Sequence, residues 1–308
     1  MNRPRFLRSF VLSFCLTLPA IAADPQAVSF TTYDGQTIHA DYYPRKGDES
    51  GAPIAILLHM YRSDRTAFAP LIDPLHRAGF AVLALDLRGH GDSATNETRS
   101  LVEIGDTAFF RSMTDDVRAA YNWLAEQPGV DRSRFALVGA SIGASIAIEY
   151  AADDKSVDAL VLLSPGTDYL GLNSETPLRS IKGRQILMLA ADNGKEKEAL
   201  KTLKAAAPGA DADVVKGDYH GTHMFGKTPD IEQRIANYLK HNVGVPSRYL
   251  VYGSIRSNIY HLPGSGWIDE ISPWNLRVYS SPQEAESRGL RRAKNNGPND
   301  RKTKRKNP

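Results

Sequence analysis

Phe135-Ala136-Leu137-Val138-Gly139-Ala140-Ser141-Ile142-Gly143-Ala144-Ser145-Ile146 passes from an apolar run, through a glycine-bracketed serine, into a second apolar run of helical length. Residues 135–138 show no polar alternation, as a strand buried on both faces requires. A Gly-x-Ser-x-Gly turn between such a strand and a helix is so tight that the side chains flanking the serine must be small, and it lifts the hydroxyl above the strand end. The helix that follows points its first N–H groups at the same spot, where an oxyanion would be held. The same residues could form a turn packed for shape alone. The strand–turn–helix context favours Ser141 as a nucleophile and the Ile142 N–H as an oxyanion donor.

Outward from this stretch the pattern repeats. Residues 28–32 and 37–43 alternate in period two around Asp34-Gly35, a hairpin signal. Continuous apolar runs follow at 54–58, 81–85, 159–163 and 186–190. Helix-like stretches lie between them at about 68–77, 114–126, 142–152, 196–206 and 229–240. Leading antiparallel strands followed by repeated β-α units predict an α/β domain with a mostly parallel sheet flanked by helices, over residues 23–243. A break falls at Asn242-Val243-Gly244-Val245-Pro246, and a segment rich in Tyr, Ser, Asn and Trp begins at 249. In it, Ser281-Pro282-Gln283-Glu284 carries a helix start, with a cap, a proline at the first helical position and a capping-box glutamate.

With the elbow and these β-α units in place, the sequence resembles the α/β-hydrolase family over about residues 28–241. The resemblance implies that fold, a cofactor-free serine hydrolase chemistry and a triad in the order Ser, acid, His. The acid is expected just past the seventh strand, where Asp192 ends the run from Gln185; Asp168, after the sixth strand, is its rival. The base is expected in Tyr219-His220-Gly221-Thr222-His223, where His220 matches the family's His-Gly-Thr run and His223 is the alternative. The second oxyanion donor is expected in His59-Met60-Tyr61, by position the Met60 N–H, with Met where relatives commonly have Gly. The loop from Asp86 through Arg88, Gly89 and His90 to Ser93 resembles an architectural loop of the family. The connection from Ser164 to Arg184 is too short for a large helical cap, which implies an open cleft that residues 92–112 could partly cover.

Residues 249–294 resemble a second family, the metal-binding module of the Ada type of DNA-repair methyltransferase. The match runs through Tyr252-Gly253-Ser254, Tyr260-His261, Pro263, Trp267, Asn275-Leu276 and the segment from Ser280 to Leu290. Ser265 and Ala293 stand where that family has cysteines. Thiolates supply most of the affinity of such zinc sites, so the reading here is a module without metal, held by Tyr, Trp and Leu packing. It serves either as a structural appendage or as a binding module.

The chain's ends differ from its body. Arg3, Arg5 and Arg8 precede a short apolar run and Ala20-Ile21-Ala22, the order of a cleavable export signal over residues 1–22, too short to span a membrane. Cys15, the single cysteine, lies inside it, so the mature chain would have no disulfide and no thiolate ligand. That predicts a periplasmic or secreted protein. The net charge of +3 hides an asymmetry, since residues 1–22 carry +3 and 291–308 carry +7, leaving −7 on the remainder. The tail from 295 has nothing to bury and reads as disordered. It could touch an anionic surface, but no nucleic-acid motif accompanies it. The reading is an exported hydrolase acting on an ester, thioester or amide of a small-molecule or acyl substrate, a carboxylic ester first. The competing reading is a non-catalytic envelope-binding protein on the same scaffold.

Overall fold

The eight strands of the main sheet run in the order β1-β2-β4-β3-β5-β6-β7-β8 in a computed structural model that describes residues 24–45, 51–244, 251–262, 264–268, 270–271, 275–279 and 281–294. The stretch 1–22 expected to be an export signal, with Cys15, and likewise Pro263 and the tail from 295, lie outside the described residues. The strands are β1 (Gln26–Thr31), β2 (Thr37–Tyr43), β3 (Ala52–Leu58), β4 (Ala81–Leu85), β5 (Val130–Ala140), β6 (Ala159–Leu163), β7 (Gln185–Ala191) and β8 (Asp211–Val215). Only β2 runs against its neighbours; from β4 to β8 every pair is parallel. This is the α/β-hydrolase fold, with its mostly parallel central sheet and flanking helices.

The helices are α1 (Ala69–Arg77), α2 (Asn96–Ile104), α3 (Thr107–Ala125), α4 (Ile142–Asp153), α5 (Glu175–Ser180), α6 (Gly194–Ala206) and α7 (Ile231–Leu239). The period-two geometry of a strand splits the core into two layers. Ile54, Ile56 and Leu58 of β3 face one cluster with Phe110, Met113, Val117 and Leu124 of α3 and Ile146 of α4. Ala55 and Leu57 face the other, with Leu71 and Leu75 of α1 and Ile231, Ile235 and Leu239 of α7. All seven residues of β3 are buried, as its unbroken apolar sequence requires. Helix α4 is buried on nearly every side, because it lies between the sheet and other helices. Strand β8 was not legible as an apolar run. It is a sheet edge, and only Val215 of its five residues is buried.

Two loops at the strand ends are locked by buried polar groups. Arg88, only 2% exposed, donates from Nε to Asp116 Oδ1 at 2.7 Å and from Nη1 to Asp34 Oδ2 at 2.7 Å, while its backbone N–H reaches Asp116 Oδ2 at 2.9 Å. His59 is fully buried; its Nδ1 pairs with the Met60 carbonyl at 2.7 Å and its Nε2 accepts from the Leu87 N–H at 3.1 Å. That pairing fixes the tautomer with the proton on Nδ1 and joins the loop after β3 to the loop after β4. Burial, with the nearby His90 as a smaller cause, pushes the His59 pKa down to about 3.

The C-terminal module is a second, four-stranded sheet in the order β11-β9-β10-β12, from β9 (Val251–Ser254), β10 (Ile259–His261), β11 (Leu276–Tyr279) and β12 (Arg291–Arg292), with α8 (Pro282–Ser287) packed on it. Ser281 caps α8 by accepting from the Glu284 N–H at 3.1 Å, as the capping-box sequence predicts. Ser265 is buried, and among the described residues no cluster of His, Cys, Asp or Glu is arranged to hold a metal ion. The module rests on α7: Asn237 Nδ2 donates to the Leu276 carbonyl at 2.8 Å, and the His241 and Tyr252 rings meet edge to face at 5.0 Å.

Asp116→Ala strips the buried guanidinium of Arg88 of its main partner. We expect a loss of about 3–5 kcal/mol, read by equilibrium urea unfolding, and an unchanged midpoint would refute the role given to this pair. A second expectation concerns pH. His59 binds a proton in the unfolded chain near pH 6.5 but not in the folded one until about 3. Its stabilisation is therefore complete above 6.5 and lost as pH falls. His90 and His241, also depressed by burial, act in the same direction. The buried Asp116, whose pKa burial raises to about 7, acts in the opposite direction, so the test is the difference: from pH 6.5 to 5 wild type should lose more unfolding free energy than His59→Gln, and an equal slope in both proteins contradicts the buried neutral imidazole.

Candidate active site

Ser141 joins β5 to α4 with φ 53° and ψ −117°, a conformation that costs a non-glycine residue free energy. The turn is pinned from below: the Ser141 N–H donates to the Leu163 carbonyl of β6 at 2.9 Å. It is pinned from the side by Gly143. A Cβ there would sit 2.2 Å from the Leu58 carbonyl oxygen, so only glycine lets α4 press against the end of β3. That approach sets the start of α4 beside the His59-Met60 turn. The Ile142 N–H, at the first helical position, has no carbonyl to bond within its own helix.

His220 follows β8 and begins a short turn, Gly221–Met224. Its Nδ1 lies 2.7 Å from Glu196 Oε1. The next residue, Gly221, has φ 55°, and a Cβ there would lie 2.3 Å from Met60 Sδ and 3.4 Å from Ala140 Cβ. The His220 turn is thus packed directly against the serine elbow and against the Met60 side chain. His223 is exposed on the same turn.

The carboxylate against His220 is Glu196, not Asp192. Strand β7 ends at Ala191, and the Asp192 side chain turns out to solvent, where it pairs with Lys197 at 2.9 Å. Asp168 is also exposed and closes its own hairpin by accepting from the Gly171 N–H at 3.0 Å. Glu196 instead sits in the first turn of α6, which Asn193 caps by accepting from the Glu196 N–H at 2.9 Å. From there the Glu196 side chain folds back under the strand end and takes the Ala191 N–H at 2.7 Å on Oε2. Burial acts to raise the Glu196 pKa, but the bonds from His220, the Ala191 N–H and Ser164 outweigh it and leave the carboxyl below its ordinary range. The signal was present in Asn193-Gly194-Lys195-Glu196, a cap followed three residues later by glutamate.

Two further residues carry no sequence signal. Ser164, fully buried with φ 48°, accepts the Gly221 N–H at 2.8 Å and also bonds Glu196, so it ties the His220 turn to the acid. Tyr169 stands on a two-residue hairpin, Asp168–Tyr169 against Leu172–Asn173, within the connection between β6 and β7. Its ring meets His220 edge to face at 6.2 Å, and its hydroxyl donates to the Ser164 carbonyl at 3.1 Å. Burial, then the charge of Glu196, raises the Tyr169 pKa, and contact with the Ser141 side chain opposes the shift. The connection holds no large cap, in line with its length, yet the cleft is not fully open: Ser141 is 7% exposed beneath this hairpin. Thr107 Oγ1, at the start of α3, holds the hairpin by donating to the Leu170 carbonyl at 3.0 Å. A cavity of about 480 Å³ opens beside His220 and Glu196, walled by Gly166, Tyr169, Asn193 and Thr202.

Residues 52–200 match the family model described as serine aminopeptidase, S33. The matched span contains Met60, Ser141 and Glu196 and ends before His220. An uncharacterized protein of Mycobacterium tuberculosis is 33% identical over 136 residues, so the chain spans under half of that relative, 44% of each. The thiohydrolase aneE of Aspergillus aculeatus is 22% identical over 218 residues, 70% of this chain and 65% of that one. Among solved structures, the esterase Pf2001 of Pyrococcus furiosus superposes with a TM-score of 0.58 at 22% identity, covering 79% of this chain and all of that one (100%). The likeness to the esterase is one of fold.

Proposed function

We propose that the protein is an exported serine hydrolase that cleaves an ester, thioester or amide through an acyl-enzyme on Ser141, with a carboxylic ester as the first candidate. The observation that carries the reading is the 2.7 Å contact between His220 Nδ1 and Glu196, packed against a serine held in a strained turn. Strain of this kind persists only where surrounding structure enforces it, and it gathers at working sites. A match to a serine aminopeptidase model and relatives named as esterase and thiohydrolase support hydrolytic chemistry.

In this mechanism His220 Nε2 takes the proton from Ser141 Oγ as the oxygen attacks the substrate carbonyl. Glu196 holds Nδ1–H, fixes the tautomer and balances the imidazolium charge. The oxyanion is received by the Met60 and Ile142 N–H groups. His220 then gives its proton to the leaving group, and the carbonyl–leaving-group bond breaks. Water, deprotonated by His220, attacks the ester on Ser141 and restores the serine hydroxyl as the acid product departs. The cavity beside His220 gives the leaving group room. The leader-like order of residues 1–22, basic then apolar then Ala20-Ile21-Ala22, supports a periplasmic or secreted setting for this activity. The C-terminal module is read as a descendant of the Ada-type metal-binding module that keeps its packing and has lost the thiolates.

Labelling of the purified mature protein by a fluorophosphonate tests this. Wild type should label, and Ser141→Ala and His220→Ala should not; a folded wild type that stays unlabelled removes the proposal. Glu196→Gln should lower kcat on an activated ester by about 10³–10⁴, because it presents the wrong tautomer partner. Asp192→Asn should leave kcat unchanged. Equal losses in the two variants would overturn the choice of acid.

A further inference from the structure

Where the end of α7 meets the C-terminal module there is a cavity of about 400 Å³. The body contributes Arg77 from the end of α1 and Lys240 from just past α7; the module contributes Arg277, Arg288 and Glu284. Lys240 is the central group. Its side chain is 8% exposed, and its partner among the described residues is Glu284 Oε2 at 3.5 Å. An ammonium carries three donors, and a contact of that length satisfies one of them weakly. Glu284 is itself divided, since its other oxygen lies 3.3 Å from Arg288 Nη2. Arg77 bonds Asp73 on its own helix at 3.1 Å, and Arg277 Nη1 bonds a carbonyl, leaving other guanidinium N–H groups of both without a described acceptor.

The cavity thus gathers four cationic side chains around one carboxylate. Arg45 adds to the positive field at Lys240. Basic residues near helix C-termini complement the helix dipole, which accounts for Arg77, Lys240 and Arg288 one at a time. It does not account for their convergence with Arg277, on a strand of the other unit. A buried ammonium short of acceptors is costly, and an anion would supply what is missing.

We propose that this junction cavity binds a phosphate-type oxyanion, held jointly by Lys240 and Arg77 of the body and Arg277 and Arg288 of the module. Tetrahedral oxyanions offer several acceptor oxygens to ammonium and guanidinium groups at once. The space admits a phosphate or diphosphate, free or borne by a lipid headgroup. Because the cations come from both units, the anion is bound only while the module is docked on α7, and its binding strengthens that docking. Its lining shares no residue with the cavity beside His220, so it acts on assembly and not on bond cleavage.

The test uses the full mature chain. Inorganic diphosphate is titrated against the thermal unfolding midpoint, with sodium chloride at matched ionic strength as control, and phosphatidylglycerol vesicles are used in co-sedimentation. The variants are Arg288→Ala, whose exposed side chain carries little folding risk, and Lys240→Met, which keeps the buried stem. Wild type should show a saturable rise with diphosphate that chloride does not reproduce, and each variant should bind about tenfold more weakly. Vesicle binding lost in the same variants, with or without a diphosphate shift, identifies a headgroup as the source and also supports the site. No saturable binding to either probe, or binding that both variants retain at wild-type strength, overturns it.

Discussion

The contact between the Gly143 backbone and the end of β3 is the constraint on which the rest of the site depends. It brings the first turn of α4 to van der Waals distance from the Leu58 carbonyl. With it go the strained backbone of Ser141, the closeness of α4 to the His59 carbonyl, and the small space between Met60 and Ala140 into which the Gly221 turn fits. The cost of an unfavourable backbone at Ser141 is met by the parallel sheet beneath. Strands β3 and β6 and the 135–140 half of β5 are buried, β5 is bonded to both of the others, and the Ser141 N–H itself continues the pairing to Leu163. A hydroxyl held this way loses little entropy on reaching a carbonyl, which is where preorganisation has its effect.

Around that apolar centre, buried polar groups fix the loops. His59 joins the ends of β3 and β4 as a neutral imidazole, so the Met60 turn does not depend on charge. Arg88 fastens the next loop to α3 through Asp116. Arg65 does the same for the entrance to α1, with Asp41 at 3.0 Å and Asp86 and Asp92 as its other partners. Partnered charges of this kind add little net stability compared with a hydrophobic core, but each leaves one low-energy arrangement for its loop. Met60 sits on such a loop, beside the turn that carries His220.

The fold was legible because its signals are local and apolar. Unbroken runs such as 54–58 and 159–163 fit only doubly buried strands, and the glycines of the elbow name their own geometry. Strand β8 escaped because an edge strand with one buried residue has no run to read. The carboxylate that meets His220 escaped for a similar reason. Asp192 follows the strand in sequence, but a residue just past a strand end can point to solvent as easily as inward. Glu196 reaches the histidine only because Asn193 starts a helix at once and turns the chain back. Ser164 and Tyr169 are contacts made across the fold, and no spacing along the chain encodes them.

The C-terminal module is held by a small apolar core and by its contacts with α7. That core rests on Val251, Tyr252, Tyr260 and Ala285, with Tyr260 anchored to Glu286 Oε1 at 2.7 Å and Ser265 also buried. A unit of this size buries too little apolar surface to be firmly stable alone. Docking on α7 supplies what is missing, through Asn237, His241 and the Lys240–Glu284 pair. These contacts are mostly polar, and polar contacts hold a geometry better than they hold an affinity. The module's attachment is therefore the part of the structure most open to adjustment by a ligand. The convergence of cations at the junction places the means of adjustment where the two units meet.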